Sequence, residues 1–210
     1  MSTDLRDALE LPEVDQIGFV VQDLEKALAH YEPLFGPFTV MDALDMEWDY
    51  RGVQETSSLK IAFAKSGEIE IELIQWISGK TPHKEFLDAG REGMHHLRFI
   101  VDNVEGKVEE AKACGYHQIW YKRFGDGLAA AYLEREGDPL VLEFFENKHG
   151  FHFRSLQHLM CKDVKNAQPL LEEGIFYRFM SKHLSDCEKE KGDYTTIVKK
   201  IEQQNNEYFI

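Results

Sequence analysis

Two stretches of this chain repeat one pattern, and the repeat limits what the chain can fold into. Gln16-Ile-Gly-Phe-Val-Val-Gln-Asp-Leu-Glu and His96-Leu-Arg-Phe-Ile-Val-Asp-Asn-Val-Glu lie 80 residues apart with their apolar positions in step. Each opens as an alternating strand, with Ile17, Phe19 and Val21 or Leu97, Phe99 and Val101 on one face. Each then meets a side chain suited to cap a helix, Asp23 or Asn103. Helical spacing follows: Leu24, Ala27, Leu28 and Tyr31 in the first copy, Val104, Val108 and Ala111 in the second, with Gly36 and Gly115 near the helix ends.

The copies also end alike. Strands are expected around Phe38–Met41 and Leu59–Ala64, then a Ser66-Gly67 turn and a strand from Ile69. In the second copy they are expected at Gln118–Tyr121 and Leu128–Leu133, then a Gly137-Asp138-Pro139 turn and a strand from Leu140. Each copy is one strand, one helix and three strands, so its sheet has a helix on one face and nothing on the other. Two such βαβββ modules cure that deficit by joining into one curved, cup-shaped mixed sheet of an α+β fold. The expected modules are 13–77 and 92–148, with a linker and a short helix around His83–Leu87 between them.

Residues from His149 onward carry as many basic as acidic side chains, so the whole net charge of −14 belongs to residues 1–148. That shift marks a boundary, and apolar residues at helical spacing predict a helical extension over 149–210. The acidic balance argues against nucleic acid or an anionic membrane as partner. No apolar run reaches the length of a membrane span, the acidic N-terminal stretch is no signal peptide, and three scattered cysteines fit a reducing cytoplasm.

Strand alternation makes the site prediction. With Ile17, Phe19 and Val21 under the helix, Gln16, Gly18 and Val20 face the cup, as do His96, Arg98 and Ile100. In the last strands Glu70 and Glu72 alternate with Ile69, Ile71 and Leu73, and Glu143 alternates with Leu142 and Phe144. Taken singly, a strand glutamate or histidine is ordinary surface chemistry. Here Gln16, Glu72, His96 and Glu143 occupy matched places, the first and last strand of each copy. Two acids and an imidazole converging on one cavity are costly to bury unless a divalent cation lies between them, and the Gln16 amide oxygen completes such a set.

The segments DQIGFVVQDLEKALAHYEPLFG, GMHHLRFIVDNV and PLVLEFFE resemble the vicinal oxygen chelate superfamily, which includes glyoxalase I, methylmalonyl-CoA epimerase, extradiol dioxygenases and bleomycin-resistance proteins. The resemblance covers about residues 13–147, and GMHHLRF is most similar to the epimerase branch. It implies a metal centre of Gln16, Glu72, His96 and Glu143 holding Zn, Ni, Co or Mn. Epimerases usually have His where this chain has Gln16, whereas some glyoxalase I enzymes have Gln.

The implied activity is metal-assisted proton transfer next to a carbonyl through an enediolate, on an acyl-thioester or another substrate with adjacent oxygens. Glu143 is the implied proton shuttle, with Glu72 as its opposite-face partner and His96 as a plain ligand. Lactoylglutathione lyase activity and non-catalytic binding of a small molecule are the alternatives, and family members commonly form homodimers. Arg98 shares the cup face, where it would meet either a substrate carboxylate or an acid such as Glu70. Asp42–Glu55 reads as a loop that sets specificity, and Lys122 and Arg123 as rim charges or solubilising ones. Of the other histidines, His95 alternates away from the cup, and His83 and His117 have no symmetric counterpart.

Overall fold

The computed structural model describes residues 5–148. After a single helical turn, α1 (Leu5–Ala8), the chain runs β1 (Val14–Val21), α2 (Leu24–Phe35), β2 (Thr39–Tyr50), β3 (Val53–Ser66) and β4 (Ile69–Gly79). A linking helix, α3 (Pro82–Asp88), leads to β5 (Gly93–Val101), α4 (Val104–Lys112), β6 (Tyr116–Gly125), β7 (Leu128–Arg135) and β8 (Val141–Asn147). The helical extension expected over 149–210 lies outside the described residues. Among those residues no helix is long and apolar enough to cross a membrane.

Both module helices start as their caps dictate. The Asp23 side chain accepts from the Lys26 N–H at 3.1 Å, and Asn103 accepts from the Gly106 N–H at 2.6 Å. At the far end of α2, Gly36 takes φ 85° and its N–H reaches the Glu32 carbonyl, which ends the helix.

Each helix covers one face of its own strands. Val21, Leu24, Ala27, Ala62 and Leu73 form the first core, joined by Phe19 and Tyr31. Phe99, Val101, Val104, Val108, Leu142 and Phe144 belong to the second. A fully buried Leu such as Leu24 or Leu73 contributes about 1.5–3 kcal/mol by leaving water. This burial commits Phe19, Val21, Leu97, Phe99 and Val101 to the helices, and so sends Gln16, Gly18, His96 and Arg98 to the opposite face.

The eight strands close into a barrel in the order β1-β4-β3-β2-β6-β7-β8-β5. Within each module the first and last strands are parallel neighbours, β1 with β4 and β5 with β8. Between modules, β1 runs antiparallel to β5, and a second seam pairs Asp49 with Tyr121 and Tyr50 with Trp120. The open cup expected from the sequence is therefore closed along that seam.

Closure depends on the length of β2. Asp42–Glu55 is not a loop: β2 continues through Tyr50, and a two-residue turn at Arg51-Gly52 returns the chain into β3. Both turn residues have positive φ, 53° and 79°, the geometry of a tight hairpin whose twist matches its strands. Four acids and few β-branched residues hide the strand in the sequence, while burial of Ala43, Trp48 and Tyr50 holds it in place.

Candidate functional site

Two adjacent rows of cross-strand neighbours build the interior site. In one row Glu72, Gly18 and His96 lie side by side on β4, β1 and β5; in the next, Glu70, Gln16 and Arg98 do. Glu143 enters from β8, where it pairs with Arg98.

The structure brings the four expected side chains together. His96 Nε2 lies 3.2 Å from Glu72 Oε2, 3.2 Å from Glu143 Oε2 and 3.3 Å from Gln16 Oε1. All four residues are buried, His96 completely.

That convergence needs a residue without a side chain. A Cβ on Gly18 would fall 1.9 Å from His96 Cε1 and 2.2 Å from Nε2, so the imidazole occupies the space that any other residue would fill. Alternation had placed Gly18 on this face, but its role appears only once β1 and β5 are in register.

Arg98 reaches the same face and is already engaged. Its guanidinium binds both carboxylate oxygens of Asp15, at 2.6 to 3.2 Å, and Glu70 Oε1 at 3.1 Å. It also lies over the Phe145 ring, 4.9 Å from the centroid. Of the two partners expected for Arg98, the structure supplies the acid. Glu70 Oε1 in turn accepts from the Gln16 side-chain amide at 2.8 Å.

Behind His96 stands a wall of rings. His95 Nδ1 is 3.1 Å from His96 Nδ1, and Tyr132 packs on His96 with ring centres 4.9 Å apart. His83 and Phe86 pack against His95, and Trp120 and Trp48 extend the wall from Tyr132. His83 and His95 are thus buried, whereas His117 is exposed. The indole N–H groups of Trp48 and Trp120 are buried with no hydrogen-bond partner. Arg123 stands apart from these groups, paired with Glu105 and Glu146.

The electrostatics call for positive charge at the centre. Burial opposes a charge on His96, but Glu143 and Glu72 outweigh it and lift the imidazole to about 9. Burial also raises the Glu72 carboxyl, with His96 and Arg98 acting against the rise and Glu143 with it. His95 and His83 are kept neutral by burial, His83 pushed down to about 3.

No group of three or more His, Cys, Asp or Glu side chains stands as a ready metal cage among the described residues. Whether these four suit an ion turns on two observations. Glu72 Oε2 and Glu143 Oε2 are buried without a hydrogen-bond partner, so both keep lone pairs to give. The spacing also fits: donors sharing one ion at about 2.1 Å, with tetrahedral or octahedral angles, lie about 3.0–3.4 Å apart. A single imidazole N–H serves one acceptor, yet three oxygens surround His96 Nε2. The side chains present therefore fit a small divalent cation.

Comparison with known proteins agrees with this architecture. The family model for the glyoxalase/bleomycin resistance protein/dioxygenase superfamily matches residues 15–132, a span that holds Gln16, Glu72 and His96. The chain is 23% identical over 144 residues to the protein YqjC of Bacillus subtilis, covering 66% of this chain and 95% of that one. It is 27% identical over 103 residues to the human mitochondrial methylmalonyl-CoA epimerase, covering 49% of this chain and 53% of the relative. Among solved structures, a hypothetical protein of Bacillus halodurans matches with TM-score 0.48 and 26% identity, over 67% of this chain and 97% of that one. The methylmalonyl-CoA epimerase of Mycobacterium tuberculosis matches with TM-score 0.44 and 17% identity, over 65% and 89%.

Proposed function

Because the chain belongs to the glyoxalase/bleomycin resistance protein/dioxygenase superfamily, we propose that it is a divalent-metal-dependent enzyme. It would take a proton from the carbon beside a carbonyl and return it, in the manner of a methylmalonyl-CoA epimerase. The observation that carries this reading is the pair of buried oxygens, Glu72 Oε2 and Glu143 Oε2, that make no hydrogen bond and face one imidazole nitrogen at 3.2 Å. Bound among them, Zn, Ni, Co or Mn supplies a Lewis acid that steadies negative charge on a substrate oxygen.

The chain's own groups do the rest. His96 and Gln16 hold the ion, and the two carboxylates balance its charge. Glu143 removes and returns the proton, and Glu72 serves the opposite face. His96 binds through Nε2 and is not free to shuttle. Tyr132, Trp120 and Trp48 keep the centre dry, which strengthens each of these interactions. Lactoylglutathione lyase chemistry is the second reading, favoured by the placement of the Gln16 oxygen beside His96.

The test is solvent-deuterium incorporation, with and without added ion, into methylmalonyl-CoA and into the hemithioacetal of glutathione and methylglyoxal. Ion-dependent incorporation that falls about 10²–10⁴-fold in Glu143→Gln supports proton transfer. Tight ligand binding with no ion and no incorporation would make the protein a non-catalytic binder.

A further inference from the structure

The Gln16 amide has two ends of nearly the same shape, one an oxygen that can bind a cation and one an NH2 group that repels it. Nothing in the shape of the side chain selects between them; its hydrogen-bond partners do. Gln16 is 1% exposed, so water is not available to satisfy the NH2 end. The acceptor that does so is Glu70 Oε1, at 2.8 Å. Turning the amide over would set its oxygen against that carboxylate and its NH2 against His96 Nε2.

Glu70 is itself fixed in place by its neighbours. Arg98 donates to the same oxygen at 3.1 Å, and Asp15 grips Arg98 from the other side through both of its oxygens. The second copy lacks the device. Arg98 and Gly18 are repeat-related, as are His96 and Gln16, and the strand partner of His96 is Val141 where that of Gln16 is Glu70. An imidazole ligand whose Nδ1 already meets His95 needs no such acceptor.

We propose that Glu70, held in place by the Asp15–Arg98 pair, is a positioning residue that fixes the Gln16 amide with its oxygen toward the ion site. The inference rests on the metal-binding reading above and adds to it the residue that makes a glutamine usable as a ligand.

The test is titration of the ion-stripped full chain with Zn2+ and with Mn2+, read as the dissociation constant. Glu70→Leu, which removes the acceptor, is expected to weaken binding about 10–100-fold, the usual loss when the partner that orients a ligand is changed. A carboxylate at position 16 has two equivalent oxygens and needs no orienting. In the Gln16→Glu background the same Glu70→Leu change is therefore expected to leave affinity unchanged or improved. Equal losses in both backgrounds, or no loss in either, would overturn the inference. Where Glu70→Leu fails to fold, the unaltered zinc-loaded chain still decides. The Gln16 NH2 protons should exchange slowly with solvent, and exchange as fast as that of exposed glutamines overturns the idea. If instead the unaltered chain binds no ion, or binds it equally well in His96→Ala, the metal-binding reading itself has failed.

Discussion

The two modules share one plan, yet at matched positions they contribute opposite things. Position 18 in the first is a glycine, and its counterpart in the second is Arg98; position 16 is a glutamine, and its counterpart is His96. The antiparallel register of β1 and β5 crosses these pairs, so Gly18 sits beside His96 and Gln16 beside Arg98. The first module thus supplies the empty space that the second module's imidazole fills. The second supplies the cation that steadies Glu70, the acid beside Gln16. A symmetric repeat makes the barrel, and the departures from symmetry make the site.

Four substitutions probe that division of labour. Arg98→Met should do most damage, since it strips buried Glu70 and half-buried Asp15 of their counter-charge. A loss of about 3–5 kcal/mol in urea unfolding is expected. Gly18→Ala, at the matched position, should behave differently. A backbone that accepts alanine leaves the fold standing, while the displaced His96 ring costs about 100-fold in Zn2+ affinity by calorimetry. If both substitutions merely lowered stability, the contrast between the modules would be lost.

The third lies in the linking helix. His83 is buried and its pKa is lowered to about 3, chiefly by burial and then by the charge of His96. As pH falls below about 6.5 the unfolded chain takes up this proton and the folded chain does not. Its stabilising contribution is thus present above that pH and lost on the way down to about 3. Urea midpoints measured between pH 7 and pH 4 should fall less steeply in His83→Phe than in the unaltered protein. The smallest effect belongs to Arg51, which pairs with Glu85 of α3 and Glu134 of β7 from a half-exposed position. Arg51→Asn should change stability by less than about 1 kcal/mol, because asparagine tolerates the positive φ there and exposed pairs contribute little.

Much of this arrangement is legible in the sequence. The 80-residue repeat and a period of two along its strands put Gln16, Glu72, His96 and Glu143 on one side of the sheet, and the structure brings those four together. Alternation, however, reports only which face a residue takes. It does not say which residue lies beside it, and the parts played by Gly18, Glu70 and Asp15 depend on that register. Closure of the barrel is hidden in the sequence for a related reason. The Asp42–Tyr50 run is acidic and poor in β-branched residues, and it becomes a strand through burial of Trp48 and Tyr50 against the other module. His83 had no repeat-related counterpart to single it out, although it packs into the wall behind His96.

The most direct test is X-ray absorption at the zinc edge of the reconstituted protein, alongside His96→Ala. One imidazole nitrogen and a majority of oxygen donors at about 2.1 Å are expected, with the imidazole scattering gone from the variant. A spectrum that keeps its imidazole signature in His96→Ala would place the ion elsewhere and contradict a centre shared by the two modules.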